Sequence, residues 1–114
     1  MTIRGEILFE GEIVNITGSA VYVRLEDVSR QDAVSVLISE YLIDSLPEGF
    51  NTSNKIPFQL EGNINDLKAY YNIRVHVDVD RDGKISVGDY ITMESFPINL
   101  TDPTKYYFIK VRRV

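Results

Sequence analysis

The chain has 114 residues, 25% of them charged and 44% apolar, and a net charge of −5. That length supports one domain around one core, here residues 1–114, and the acidic balance argues against nucleic acid or an anionic membrane surface as partner. With no cysteine and His76 as the single histidine, disulfides, thiolate chemistry, cysteine-based zinc sites and multi-histidine metal sites are excluded.

The chain reads as strands and turns almost throughout, because Val, Ile and Tyr are frequent and long helical periodicity is scarce. A first strand is expected from Ile3 to Val14, with Gly5 and Gly11 marking a bulge or a close approach. Asn15-Ile16-Thr17-Gly18 is a turn. Ser19 to Glu26 alternates Val21, Val23 and Leu25 with Tyr22, Arg24 and Glu26, which predicts one buried face. After the polar connection Asp27 to Asp32, a third strand runs from Val34 to Ile43, with Val34, Val36 and Ile38 on one side. Asp44 to Asn54 is a loop under which Phe50 tucks. Lys55 to Glu61 turns Ile56, Phe58 and Leu60 inward, and Pro57, which lacks an amide donor, places this strand at a sheet edge. A helical turn is expected at Asn65-Asp66-Leu67-Lys68. The fifth strand is Ala69 to Val77, the sixth Asp89 to Ile98 and the seventh Lys105 to Arg113. Strands punctuated by turns at this spacing predict an all-β fold, a single antiparallel β-sandwich of about seven strands, with an open barrel as the alternative.

The chemistry concentrates between the fifth and sixth strands, in Asp78-Val79-Asp80-Arg81-Asp82-Gly83-Lys84-Ile85-Ser86-Val87-Gly88-Asp89. Carboxylates at alternate positions, then glycine, then a closing carboxylate reproduce the ligand order of an EF-hand calcium loop. Ca²⁺ is a hard ion that takes about 6–8 oxygens. Asp78, Asp80 and Asp82 would supply three, the Lys84 carbonyl a fourth and Asp89 the closing one, with Ser86 acting through water. Asp89 stands where a bidentate Glu is usual, and the shorter side chain reaches less far. The competing reading is a plain Asp/Gly turn. A loop joining strands has no helices to move, so the ion is expected to fix the end of the sandwich. Ile85 is expected to pack there.

Other polar features have quieter readings. Asp27, Ser29, Arg30 and Asp32 form a cluster best read as an Asx-turn rather than a ligand site. His76 is expected exposed on the polar face of its strand, with Tyr90 and Glu94 facing it. A hydrolase would need a nucleophile beside it. Tyr22, Tyr41, Tyr70, Tyr71, Tyr90, Tyr106 and Tyr107 suggest either cross-strand packing or a sugar-stacking platform. Asn15-Ile16-Thr17, Asn51-Thr52-Ser53 and Asn99-Leu100-Thr101 match glycosylation acceptors. Lys110-Val111-Arg112-Arg113 is locally basic and reads as protection of a sheet edge. No run approaches the roughly 20 apolar residues of a membrane span. The start Met1-Thr2-Ile3-Arg4-Gly5-Glu6 has no signal-peptide pattern, which leaves a cytosolic protein or one whose leader has been removed.

Three segments resemble the YbaY/YscW family of small bacterial envelope lipoproteins. They are Leu25-Glu26-Asp27-Val28-Ser29-Arg30-Gln31-Asp32-Ala33 with the strand before it, Ile56-Pro57-Phe58-Gln59-Leu60, and Tyr71-Asn72-Ile73-Arg74-Val75-His76-Val77 followed by Asp82-Gly83 and Phe96-Pro97-Ile98. The chain departs from that family in lacking a lipobox cysteine, in Val34 where Pro is usual, and in its expanded Asp-rich loop. The resemblance implies a β-sandwich and an extracytoplasmic setting, in the periplasm or at the cell surface, with another envelope protein as partner. Some members are pilotins, which help an outer-membrane secretin assemble. The combined expectation is a non-enzymatic, calcium-binding envelope module for interaction or assembly. The alternative is a small glycan- or peptide-binding module.

Overall fold

The computed structural model describes residues 1–30 and 34–114. Asp32 of the polar cluster, with Gln31 and Ala33 of the family-like segment, therefore lies outside the described residues. Among the described residues seven strands form: β1 Thr2–Phe9, β2 Ala20–Asp27, β3 Val36–Ile43, β4 Ile56–Glu61, β5 Tyr71–Asp78, β6 Tyr90–Ile91 and β7 Tyr106–Arg113. They join in one sheet in the order β3-β2-β5-β6-β7-β1-β4. The sheet curls until its two edge strands, β3 and β4, lie against each other, so the all-β expectation is met by a nearly closed sandwich-like barrel. Among the described residues no helix is long and apolar enough to cross a membrane.

The expectation of a wholly antiparallel arrangement is corrected at one seam. β1 and β7 pair in parallel, with Gly5 opposite Tyr107 and Ile7 opposite Ile109. A parallel pair needs a long crossover, and here the whole intervening chain supplies it.

Period-two alternation builds the core. Ile3 and Ile7, Val21, Val23 and Leu25, Ile56, Phe58 and Leu60, and Ile109 and Val111 all point inward and are buried. β4 reads as a clean alternation, and Pro57 stands exposed on this edge strand, opposite Glu6. β5 lies between β2 and β6, and only Arg74 on it is exposed. At β3 a bulge between Leu25 and Glu26 of the β2 pairing shifts the register. Val34, before the strand, and Val36, at its first residue, are exposed, while Ile38 packs on the core.

Several strand ends differ from the sequence pattern for local reasons. β1 stops at Phe9, short of Gly11, whose φ of 103° turns the chain away. β6 stops at Ile91 because two side chains interrupt the ladder, although backbone bonds from Thr92 to Val75, Ile73 to Phe96 and Ile98 to Tyr71 still run beside β5. The Thr92 hydroxyl accepts from the Val75 N–H at 3.3 Å, and the Asn72 Oδ1 accepts from the Phe96 N–H at 2.6 Å. Residues 65–68 form a turn, in which Asp66 Oδ1 accepts from the Lys68 N–H. The basic C-terminal segment is not an edge: β7 runs between β6 and β1, and Arg112 pairs with Glu10 at 2.9 Å.

The acceptor-like triplets are turn devices. Asn15, Asn51 and Asn99 each accept, through Oδ1, the backbone N–H and the hydroxyl of the Thr or Ser two residues on. Asp27 does the same with Ser29, as an Asx-turn should. The Ser29 hydroxyl in turn accepts from the Tyr70 N–H at 2.8 Å.

Gly5 is required by close approach. A Cβ there would sit 2.3 Å from the Tyr107 carbonyl oxygen and 2.7 Å from the Phe58 ring. Gly5→Ala is expected to destabilise the fold by about 1–3 kcal/mol or more through overpacking at the parallel seam, read as a lower urea midpoint. An unchanged midpoint would reject this account of the seam.

Candidate metal centre

The Asp-rich loop leaves the end of β5 and returns at β6. Its fourth and sixth positions, Arg81 (φ 59°) and Gly83 (φ 77°), are both left-handed, which coils the chain and turns the alternate carboxylates inward. Glycine adopts that conformation freely. Arg81 does not, and it is held by its guanidinium, which donates to the Gly18 carbonyl at 2.9 Å and to that of Asp44. The loop is thereby tied to the start of β2 and the end of β3. At its far end the Val114 N–H donates to the Asp89 carbonyl at 2.8 Å and the Gly88 N–H to the Val114 carbonyl at 3.2 Å, so the C-terminal residue closes it.

The expected ligands converge. One carboxylate oxygen from each of Asp78, Asp80, Asp82 and Asp89 lies within 4.8 Å of the others. Asp78 and Asp89 are buried, while Asp80 and Asp82 face solvent. Asp78 Oδ2 accepts the Gly83 N–H at 2.8 Å, and Asp82 Oδ1 accepts the Lys84 N–H at 2.8 Å. Asp80 Oδ2 accepts from the Ser86 hydroxyl at 2.8 Å. Among the described residues no backbone N–H donates to the Lys84 carbonyl, the oxygen expected to ligate. Asp78 Oδ1 is buried and has no hydrogen-bond partner among the described residues. A buried acceptor left unmade costs about 1–3 kcal/mol, more for a charged group. The donor set is all hard oxygen, and the orphaned atom belongs to the first ligand of the loop, so these residues fit a hard divalent cation.

The electrostatics agree. Burial raises the Asp78 pKa above its ordinary 3.8, with the neighbouring Asp80 and Asp89 acting in the same direction. Asp80 is lowered, chiefly by the Ser86 hydroxyl. In metal-free protein Asp78 therefore contributes stability that is complete below 3.8 and is lost as pH rises through its raised folded value.

His76 corrects the expectation of an exposed histidine. It is buried, stacked on Tyr22 with ring centroids 5.8 Å apart and planes 21° apart. Its Nε2 lies 2.8 Å from Asp89 Oδ2. On β6 it faces Ile91, not Tyr90 or Glu94, and Tyr90 instead enters the core edge-on to Phe9. Ile85 is not tucked into the sheet end. It stays 58% exposed and lines a crevice with His76 and Ile91. Period-two reasoning missed His76 because the cover comes from a loop folded over the outer face. The two-residue spacing of His76 from Asp78 on one face was the available signal.

The tyrosines do not make a platform. Tyr71, Tyr90 and Tyr107 are buried, whereas Tyr70 and Tyr106 are exposed on separate segments. Tyr106 meets Phe108 edge-on at 67°.

No protein-family model matches the chain, and no curated protein matches it. Among solved structures it is similar to an alternative pilotin from the type II secretion system of Vibrio cholerae, with a TM-score of 0.73 and 21% identity over 100% of this chain and 96% of that one. The likeness shows that the two chains share a fold from end to end.

Asp78→Asn keeps an acceptor for the Gly83 N–H but removes the buried charge. It is expected to raise the melting temperature in EDTA at neutral pH by a few degrees and to abolish any response to calcium. A lower melting temperature in EDTA would show that the charge is already satisfied within the protein.

Proposed function

We propose that this protein is a non-enzymatic calcium-binding β-module that acts in the cell envelope as an assembly protein of pilotin-like kind. The observation that carries the calcium reading is the unpartnered, buried Asp78 oxygen inside a cluster of four converging carboxylates. Bound Ca²⁺ would take oxygens from Asp78, Asp80, Asp82, the Lys84 carbonyl and Asp89. It would convert the orphaned oxygen into a ligand and cancel the mutual repulsion of the carboxylates. The loop already touches β2, β3, β5 and the C-terminal residue, so the ion would stiffen one end of the barrel.

The assembly role is supported by the end-to-end likeness to a pilotin and by the resemblance of the strand motifs to an envelope family that includes pilotins. The partner in this reading is a secretin-type envelope protein.

Thermal melting in EDTA and then in millimolar CaCl₂ tests the calcium reading. Stabilisation follows mass action, about 2.7 kcal/mol at a hundredfold excess over Kd. A Kd on the order of 10⁻⁴–10⁻³ M would suit an extracellular site. The melting temperature is expected to rise with calcium in wild type and to stay fixed in Asp78→Ala and Asp82→Ala. Superimposable wild-type melts reduce the loop to a turn. For the assembly role, deleting the gene in its host is expected to lower the assembled secretin oligomer in outer-membrane fractions, and an unchanged amount rejects it.

A further inference from the structure

We propose that His76 is a positioning residue for the cation, holding Asp89 as a one-oxygen ligand. This rests on the calcium reading above and adds a residue that lies outside the loop motif. His76 Nε2 lies 2.8 Å from Asp89 Oδ2, and a carboxylate bound to a cation only accepts hydrogen bonds, so in the proposed site Nε2 is the donor. The same oxygen takes the Ser86 N–H at 3.2 Å, and Asp89 Oδ1 takes the Val79 N–H at 3.0 Å. The Ser86 hydroxyl is 3.5 Å from Oδ2 but bonds Asp80 at 2.8 Å. A carboxylate offers about four lone-pair sites. With three already filled by protein donors, Asp89 can give the ion one oxygen and cannot chelate it as the usual Glu does.

The imidazole is itself fixed. It is buried, it stacks on Tyr22, and it sits on β5 two residues from Asp78 on the same face. His76 therefore couples the closing ligand of the loop to the strand that carries its first ligand. The chain then supplies one oxygen each from Asp78, Asp80, Asp82, Lys84 and Asp89. Ca²⁺ takes about 6–8, and water fills the remaining positions. Ligating carboxylates held by an outer hydrogen bond lose roughly 10–100-fold in metal affinity when that bond is removed.

The experiment is a calcium titration by calorimetry, joined to Tb³⁺ luminescence lifetimes in H₂O and D₂O, which count the waters on the ion. His76→Phe preserves a flat ring against Tyr22 but donates nothing, His76→Asn is too short to reach Asp89, and His76→Gln restores an N–H at similar reach. Phe and Asn are expected to weaken calcium binding roughly 10–100-fold and to alter the water count as Asp89 swings free. Gln is expected to recover most of both. The Asn variant decides the matter if the Phe variant does not fold. Wild-type affinity and water count in the Phe or Asn variant overturn the proposal while leaving the calcium site standing. A wild type that binds no calcium overturns both. Zn²⁺ binding tighter than Ca²⁺ and lost in all three variants would make His76 a ligand, which also overturns the positioning role.

Discussion

Like charges forced together at the end of a buried strand are the constraint around which this structure is arranged. β5 is covered on both faces along nearly its whole length and terminates in Asp78, an ionisable side chain 1% exposed. One of its oxygens is met by a loop amide and the other by nothing. Three further carboxylates bend in beside it. Two of the four, Asp78 and Asp89, are out of water, and burying carboxylates side by side is unfavourable unless something of opposite charge stands among them. Arg81 is not that counter-charge, since its guanidinium is spent on carbonyls at the β2 and β3 ends. The hard dication proposed above would supply that counter-charge.

The rest of the barrel makes that end rigid. β1 and β7 lock together in parallel, close enough that only a glycine fits at Gly5. β7 carries the chain end back to the loop, where Val114 exchanges backbone hydrogen bonds with Gly88 and Asp89. The loop is therefore held by first-strand and last-strand architecture as well as by its own turns. An ion seated in such a frame would stiffen it without moving elements apart.

The outer face adds a second layer of control. His76 stacks on Tyr22 over a sheet surface that strand alternation marks as polar, and Ile85 lines the crevice beside it. This cover dries the His76–Asp89 contact. A hydrogen bond shielded in this way is stronger than its exposed counterpart, and it holds the Asp89 carboxylate in one orientation.

The sequence by itself determined the inward faces and the spacing of the loop carboxylates. Ile56, Phe58 and Leu60 had to share one side because side chains alternate along a strand, and Pro57 had to stand on an edge because it has no amide to give. Asp78, Asp80, Asp82 and Asp89 were legible as one site because local chain geometry alone brings alternate carboxylates to a common centre. The tertiary structure alone decided which strands are neighbours and what covers the outer face. Nothing local says that β1 lies parallel to β7, that the strand carrying the basic segment is flanked on both sides, or that the Thr92 and Asn72 side chains interrupt the ladder after Ile91. His76 is the plainest case. Its strand position marked it as outward, and only a loop returning from beyond Asp78, together with Tyr22 from another strand, turned an outward histidine into a buried partner of Asp89. Alternation fixes the direction in which a side chain points, whereas contacts between residues far apart in the chain fix what it meets there.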